Sequence, residues 1–290
     1  MSAEMLEKLG ALGYLGAGSL PPSARTGADP KDKIGEFKVL NRLMREGLQR
    51  LRKKDFAGSA ERLAALLQHG VDSFEAHYYL ARALSGLRRD REASVHYLRA
   101  TERLPGFGAA WVGLARSRLA AGDAGGALEA LTRGHAAAPQ DPQILETQAG
   151  VLRGLERPRE AIAAYEAALT LAPGDALLRV ELGEALRDAG DLVQAEQRLQ
   201  EAVRLEPGRP SYWNALGMVQ GARGELAQSE ASFRKALAGD ASQAEYAYNL
   251  GLVLMRQGRR EEASPLFRRA LELQPGFAAP RERLAEMRAR

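Results

Sequence analysis

The chain has 290 residues, 45% of them apolar and 6% aromatic, with 41 Lys and Arg against 37 Asp and Glu, 30 Gly, 13 Pro and no Cys. The lack of cysteine excludes a disulfide scaffold, a thiolate metal site and a cysteine nucleophile, and no run approaches the roughly 18 apolar residues that a membrane-spanning helix needs. The net charge of +4 divides unevenly, with 13 basic and 8 acidic groups in residues 40–107, 11 and 15 in residues 108–209, and 12 and 9 in residues 210–290. A nucleic-acid binder gathers its basic excess into one stripe, and this modest, interrupted excess does not, so nucleic acid is not the expected partner. Thirty-four of the 41 basic groups are Arg, the residue suited to forked contacts with carboxylate or phosphate. Met1 is followed by Ser2, Ala3 and Glu4, with neither a basic start nor an apolar block; no export signal is read there and the cytoplasm is the expected compartment.

In chain order, residues 1–15 are expected to form a short helix through Met5, Leu6, Leu9 and Leu12, and residues 16–29 a flexible Gly/Pro/Ser-rich linker. Asp29 and Pro30 open a helix through Ile34, Phe37 and Leu40 that starts an array running to residue 290. From there the sequence repeats. Pro105, Pro139, Pro173 and Pro207 stand 34 residues apart, and Pro275 falls two periods later. Gly47, Ala81, Ala115, Ala149, Gly183, Gly217 and Gly251 form a small-residue series on the same period, and Ser59, Ala93, Ala127, Ala161, Ala195, Ser229 and Ala263 form a second. A third is bulky: Leu63, Tyr97, Leu131, Tyr165, Leu199, Phe233 and Phe267. Seven units follow, over 40–73, 74–107, 108–141, 142–175, 176–209, 210–243 and 244–277.

Each unit reads as helix, turn, helix. In the last, Tyr246, Leu250, Val253 and Leu254 recur at helical spacing, Gly258 interrupts, and Ala263, Phe267, Ala270 and Leu271 resume. Gly122, Gly190, Gly224 and Gly258 share that turn position, where positive φ ends the first helix, and the 34-spaced prolines stop the second. The small series are expected where two antiparallel helices approach, with Gly217 facing Ser229 and Gly251 facing Ala263, and the bulky series is expected to plug against the following unit. One hairpin cannot bury its apolar face alone, so neighbours must stack. Residues 278–290 begin one more first helix, with Leu284 and Ala285 inward and a charged outer face, as a solvating cap.

Trp213, Leu216 and Gly217, then Asn249, Leu250 and Gly251, with the later Ala, aromatic, Ala and Pro, resemble the tetratricopeptide-repeat family over residues 40–277. The first unit departs from the pattern at Glu46 and Val71, where Leu and Pro are usual. The resemblance implies an all-α fold, a right-handed superhelix or α-solenoid of seven 34-residue helix-turn-helix repeats plus a capping helix. It also implies a non-catalytic scaffold that binds a protein or peptide in its concave groove. A second resemblance is short: EKLGALGYLG, a linker and DPKDKI look like the junction in bacterial sulfatase-like proteins between a hydrolase domain and its repeats. It implies an accessory or detached module of such a hydrolase, in which case a fragment of an exported protein would be periplasmic or secreted.

No hydrolase chemistry is read from the residues. Ser19 to Ser23 approaches the C/S-x-P-x-R nucleophile motif but has Ser23 in place of the Arg, and reads as a turn. His69, His77, His96 and His135 show no i, i+4 pairing or companion carboxylate at ligand spacing. Gly10, Gly13 and Gly16 lack a following Gly-Lys-Ser/Thr. No catalytic group, cofactor or metal is therefore expected, and the chain is read as not an enzyme.

The family resemblance assigns ligand-facing places on the first helix of each unit. These hold Arg45, Tyr78, Tyr79, Arg82, Arg116 and Arg153 towards the N-terminus, Glu146, Glu181 and Glu184 in the middle, and Asn214, Met218, Tyr248, Asn249 and Leu252 towards the C-terminus. An Arg/Tyr wall suits an acidic or aromatic peptide, while an RNA or another anionic polymer on the Arg-rich groove is the alternative. The family's carboxylate clamp is matched at Asn249 and Arg283 but not at Asn214, Met218 and Ala279, which points away from capture of a C-terminal carboxylate.

Overall fold

First helices open at Phe74, Gly108, Pro142, Ala176, Pro210, Ala244 and Ala278, one every 34 residues. The computed structural model describes residues 30–288, and among these every regular element is helical. The helix expected over 1–15 and the linker expected over 16–29 lie outside the described residues. Two compact units divide the chain, residues up to Val151 and residues from Leu152. The first holds α1 (Pro30–Arg52), α2 (Phe56–Gln68), α3 (Phe74–Gly86), α4 (Asp90–Arg103), α5 (Gly108–Ala120) and α6 (Ala124–Ala137); the division falls inside α7 (Pro142–Gly154). The second holds α8 (Pro158–Leu171), α9 (Ala176–Asp188), α10 (Leu192–Leu205), α11 (Pro210–Arg223), α12 (Leu226–Gly239), α13 (Ala244–Arg256), α14 (Arg260–Leu273) and α15 (Ala278–Arg288). Within each unit consecutive helices pack as antiparallel hairpins, and each hairpin packs on the next, the arrangement of an α-solenoid. No described helix is long and apolar enough to cross a membrane.

The turn inside each hairpin has one geometry. Gly122, Gly190, Gly224 and Gly258 have φ between 81° and 87°, and Lys54, Arg88 and Glu156 occupy the same register at φ 59°, 60° and 57°. The following amide reaches back five residues to close the first helix, as in Asp123 N to Arg118 O at 2.8 Å and Arg89 N to Leu84 O at 3.0 Å. Glycine marks this turn in four units, while three side chains accept a backbone that L-residues avoid.

In six of the seven hairpins, Glu225 being the exception, the next residue starts the second helix by one of two chemistries. Asp55, Asp123 and Asp191 accept a hydrogen bond from the amide three residues on, at 2.8 to 3.0 Å, satisfying a donor the helix leaves open. Arg89, Arg157 and Arg259 instead grip Glu92, Glu160 and Glu262 three residues on, through paired contacts of 2.6 to 2.7 Å. These pairs are solvent-exposed, so they contribute little stability. Of the prolines that end five of the units, four have a carbonyl bonded by a side chain six residues on. Trp111 and Trp213 donate to Pro105 and Pro207 at 2.8 Å, and Arg179 and Arg281 meet Pro173 and Pro275 at the equivalent place.

The small series lie where the helices touch. A Cβ on Gly217 would come within 2.8 Å of the Phe233 ring, and one on Gly251 within 2.7 Å of Phe267. Ser229 Oγ donates to Gly217 O at 2.7 Å and Ser59 Oγ to Gly47 O at 2.9 Å. The bulky series packs against the following unit, as expected, and against its own hairpin as well. Phe233 covers Gly217 of its own hairpin and also clusters with Leu250, Val253 and Leu254 of the next.

The second unit adds a buried polar network. Glu196, 3% exposed, is held by Arg223 and by amide donors of Gln200 and Gln220 at 3.0 and 3.1 Å, while Ser232 donates to Gln220 Oε1 at 2.7 Å. One period later Glu230 receives Arg259 at 2.8 Å and Gln257 at 2.9 Å. A carboxylate so placed depends on its partners.

Two stability measurements follow from these contacts. Glu156→Gly relieves the left-handed backbone and is expected to raise stability by about 0.5–1 kcal/mol after the entropy of an added glycine, whereas Gly190→Ala lowers it by about 1 kcal/mol; urea midpoints read both. Arg223→Met strands the Glu196 carboxylate and is expected to cost about 2–3 kcal/mol, most of it regained in the double variant with Glu196→Leu. A loss in the double variant equal to the sum of the two single losses would show the pair to be independent.

Candidate functional site

In the first unit α3, α4 and α5 border an open cleft of about 500 Å³. Tyr78 and Arg82 are four residues apart on α3 and share one helix face, with Tyr97 contributed by α4 and Arg116 by α5. The Arg82 guanidinium lies 5.8 Å from the rings of both Tyr78 and Tyr79, within cation–π range. Most arginines of the chain pair with carboxylates, but Arg82 and Arg116 have no ion pair among the described residues. Asp90, at the start of α4, borders the same cleft.

The cleft floor is made of hydroxyl groups. Tyr97 is buried, its hydroxyl hydrogen-bonded to Ser85, and Ser85 Oγ lies 3.2 Å from Ser117 Oγ. Burial, above all, pushes the Tyr97 phenol up to about 12, so it stays a neutral hydrogen-bonding group through the physiological range. Tyr97 fits between α4 and α5 because Gly113 faces it; a Cβ there would strike the ring. Tyr78 is set by aromatic contacts, stacked on Phe74 at 5.3 Å and edge-on to Phe107 at 5.2 Å and Tyr97 at 6.0 Å.

Of the residues assigned to the binding face, the cleft unites Tyr78, Arg82 and Arg116. Tyr79 is corrected: it is 1% exposed and belongs to the core, because the helix turns the residue after Tyr78 away from the cleft. Arg45 is exposed on α1 and Glu146 half-buried on α7, and neither lines the cleft. In the second unit Arg153 bonds Glu184 at 2.8 Å and Asp188 at 3.2 Å, so residues expected to meet a ligand neutralise one another, and Glu181 beside them is half-buried. Asn249 Nδ2 donates to Asn214 Oδ1 at 2.9 Å, and Asn214 lies near Glu245 at 3.4 Å with 7% of its surface exposed. Tyr248 packs on Phe267 and Phe277 at 5.8 and 5.0 Å and bonds Arg283, which is also held by Glu286 at 2.8 Å. Met218 is exposed and Leu252 half-buried.

Tyr97, Ser85, Ser117, Asp90 and Gln143 line the cleft without having been expected there. The 34-residue period marked Tyr97 as a plug; period alone does not show that the hydroxyl of a plug reaches open space. A spectrophotometric titration is expected to leave the Tyr97 phenol protonated past pH 11, and a Tyr97→Phe variant identifies its step in the tyrosinate absorbance; a normal titration of that residue would contradict its burial.

No curated protein matches the chain in sequence. Models of the tetratricopeptide repeat match residues 152–219 and 244–277. Among solved structures, the chain is similar to MamA (23% identity, 57% of this chain and 97% of that one, TM-score 0.53). It is also similar to YrrB, described as a TPR protein with an unusual peptide-binding site (20% identity, 65% and 97%, TM-score 0.54). A tetratricopeptide repeat protein from Parabacteroides merdae matches over more of the chain (14% identity, 84% and 97%, TM-score 0.64). At these identities the likeness is one of fold. Residues 152–219 and 244–277 are tetratricopeptide repeats, and the described chain has the helical-hairpin fold of the proteins it resembles.

Proposed function

We propose that the chain is a non-catalytic interaction scaffold, and that the cleft of its first unit binds an acidic segment of a protein partner. The observation carrying this reading is that Arg82 and Arg116, which have no ion pair among the described residues, border an open cleft beside a neutral tyrosine hydroxyl. A guanidinium presents a fork that matches a carboxylate, and the tyrosine rings under Arg82 hold it in place at no loss of its hydrogen-bonding edge. Asp90 favours a peptide over a bare polyanion. A peptide supplies backbone N–H groups for that carboxylate to accept, whereas a phosphate chain supplies only repulsion. YrrB, of the same fold, carries a peptide-binding site, and tetratricopeptide repeats serve this role widely.

The accessory-module reading rests on the EKLGALGYLG segment and places the same cleft beside a sulfatase-like hydrolase; a catalytic domain encoded upstream or in a neighbouring gene would support it. The compartment follows that choice, cytoplasmic for a free-standing scaffold and exported for the module.

An array of acidic, neutral and basic peptides tests the principal reading. Binding is expected for the acidic set, with affinity falling at least tenfold in Arg82→Glu/Arg116→Glu. Preserved affinity in that variant overturns the reading. A steep decline of affinity for RNA with salt, together with stronger binding of RNA than of any acidic peptide, supports the anionic-polymer alternative instead.

A further inference from the structure

Outside the cleft, the first unit contains a chain of four polar side chains that neither the repeat period nor histidine spacing signals. His77 on α3 and His96 on α4 face each other with Nδ1 atoms 2.9 Å apart. The other nitrogen of His77, Nε2, lies 2.9 Å from Asp72 Oδ1, and Asp72 is held by Arg103. The two rings are 28° from coplanar with centroids 5.2 Å apart, a head-to-head arrangement that aims one nitrogen at the other.

Asp72 decides the tautomers. Arg103, its foremost influence, keeps the carboxyl ionised by lowering its pKa, so Asp72 only accepts and His77 Nε2 carries the proton. Neutral His77 then has its lone pair on Nδ1, and His96 must donate from its own Nδ1–H. His96 Nε2 is left without a proton. A first added proton binds there and leaves the inter-helix bond intact. A second must bind His77 Nδ1, and two N–H donors then confront each other across 2.9 Å.

We propose that His77 and His96 form a proton-operated latch between α3 and α4, closed when the pair holds at most one added proton and released when it holds two. The inference does not depend on what the cleft binds. His77 is 8% exposed and His96 half-buried, and burial is the foremost cause that lowers the pKa of each. Asp72 opposes this for His77, while Arg103 and Arg99 reinforce it; for His96, His77 reinforces it and Glu92, one turn earlier on α4, opposes it. Glu92 is itself gripped by Arg89. Among the described residues, these are the charged groups that act on the pair from the hairpin and the elements packed on it. The sign follows from linkage. Folded-state histidine pKa values below the unfolded value of 6.5 mean that the unfolded chain binds more protons, so the stability is present above pH 6.5 and is lost as the pH falls through the lower folded values.

The latch acts on the cleft wall through its immediate neighbours. Tyr78 follows His77 and Tyr97 follows His96, and their rings meet edge to face at 6.0 Å across the same hairpin. Separating α3 from α4 at the histidines therefore parts the two tyrosines.

Amide hydrogen exchange on the whole chain at pH 7.5 and pH 5.0, corrected for intrinsic rates, tests the proposal. Protection in α3 and α4 is expected to fall at least tenfold at pH 5.0 while α9 to α13 of the second unit hold theirs. His96→Gln, whose amide still donates to His77 but takes no proton, is expected to remove that loss. In the wild-type chain, the ring-nitrogen resonances of the two histidines are expected to titrate in two coupled steps, both below pH 6.5, with His77 Nδ1 protonated in the lower. Independent titration of both rings near pH 6.5, a loss of protection equal in both units, or an unchanged loss in His96→Gln overturns it.

Discussion

Two antiparallel helices approach to about 8–10 Å only where their facing residues are small, and the fold depends on that condition being met once in every hairpin. Gly217 meets it by accepting the Phe233 ring against its backbone and the Ser229 hydroxyl on its carbonyl. Gly251 and Phe267 repeat the contact one period later, and Gly47 with Leu63 and Ser59 does so near the start of the array. Because the ring that covers the glycine also touches the next hairpin, one side chain closes its own pair and presents a surface for the following pair. Local packing and propagation are thus the same interaction, which is how a series of hairpins, none stable alone, becomes a folded unit.

The period of 34 made helix order, the close-approach residues and four of the left-handed turns readable from residue types. Three turns escaped because Lys54, Arg88 and Glu156 adopt positive φ that their neighbours enforce. A side chain with no preference for that geometry carries no mark of it. The binding face was legible as a stripe of first-helix positions but not as a set of available groups. Tyr79 belongs to the core, Arg153 is held by Glu184, and Asn249 by Asn214, since the same period that aligns these positions also brings residues of adjacent hairpins within bonding distance. The histidine pair was hidden for a related reason. Its members lie 19 residues apart on two helices, a separation that corresponds to no single-helix spacing.

Charge is used differently in the two units. In the second, buried Glu196 and Glu230 bind arginine and glutamine from successive helices, so ionic groups are consumed in holding hairpins together. In the first, aromatic contacts among Phe74, Tyr78, Tyr97 and Phe107 do that work, and two arginines remain available beside the cleft. A cation without a carboxylate partner is an asset for recognition because an incoming anion need not displace an internal one.

The contacts that begin six of the seven second helices, whether an aspartate on an amide or an arginine gripping a glutamate, are built from residues no more than three apart. The start of such a helix is consequently set within its own segment. Gene duplication or deletion in steps of one period can lengthen or shorten such a protein while every junction is inherited ready-made, so that the number of hairpins is free to vary where their internal design is not.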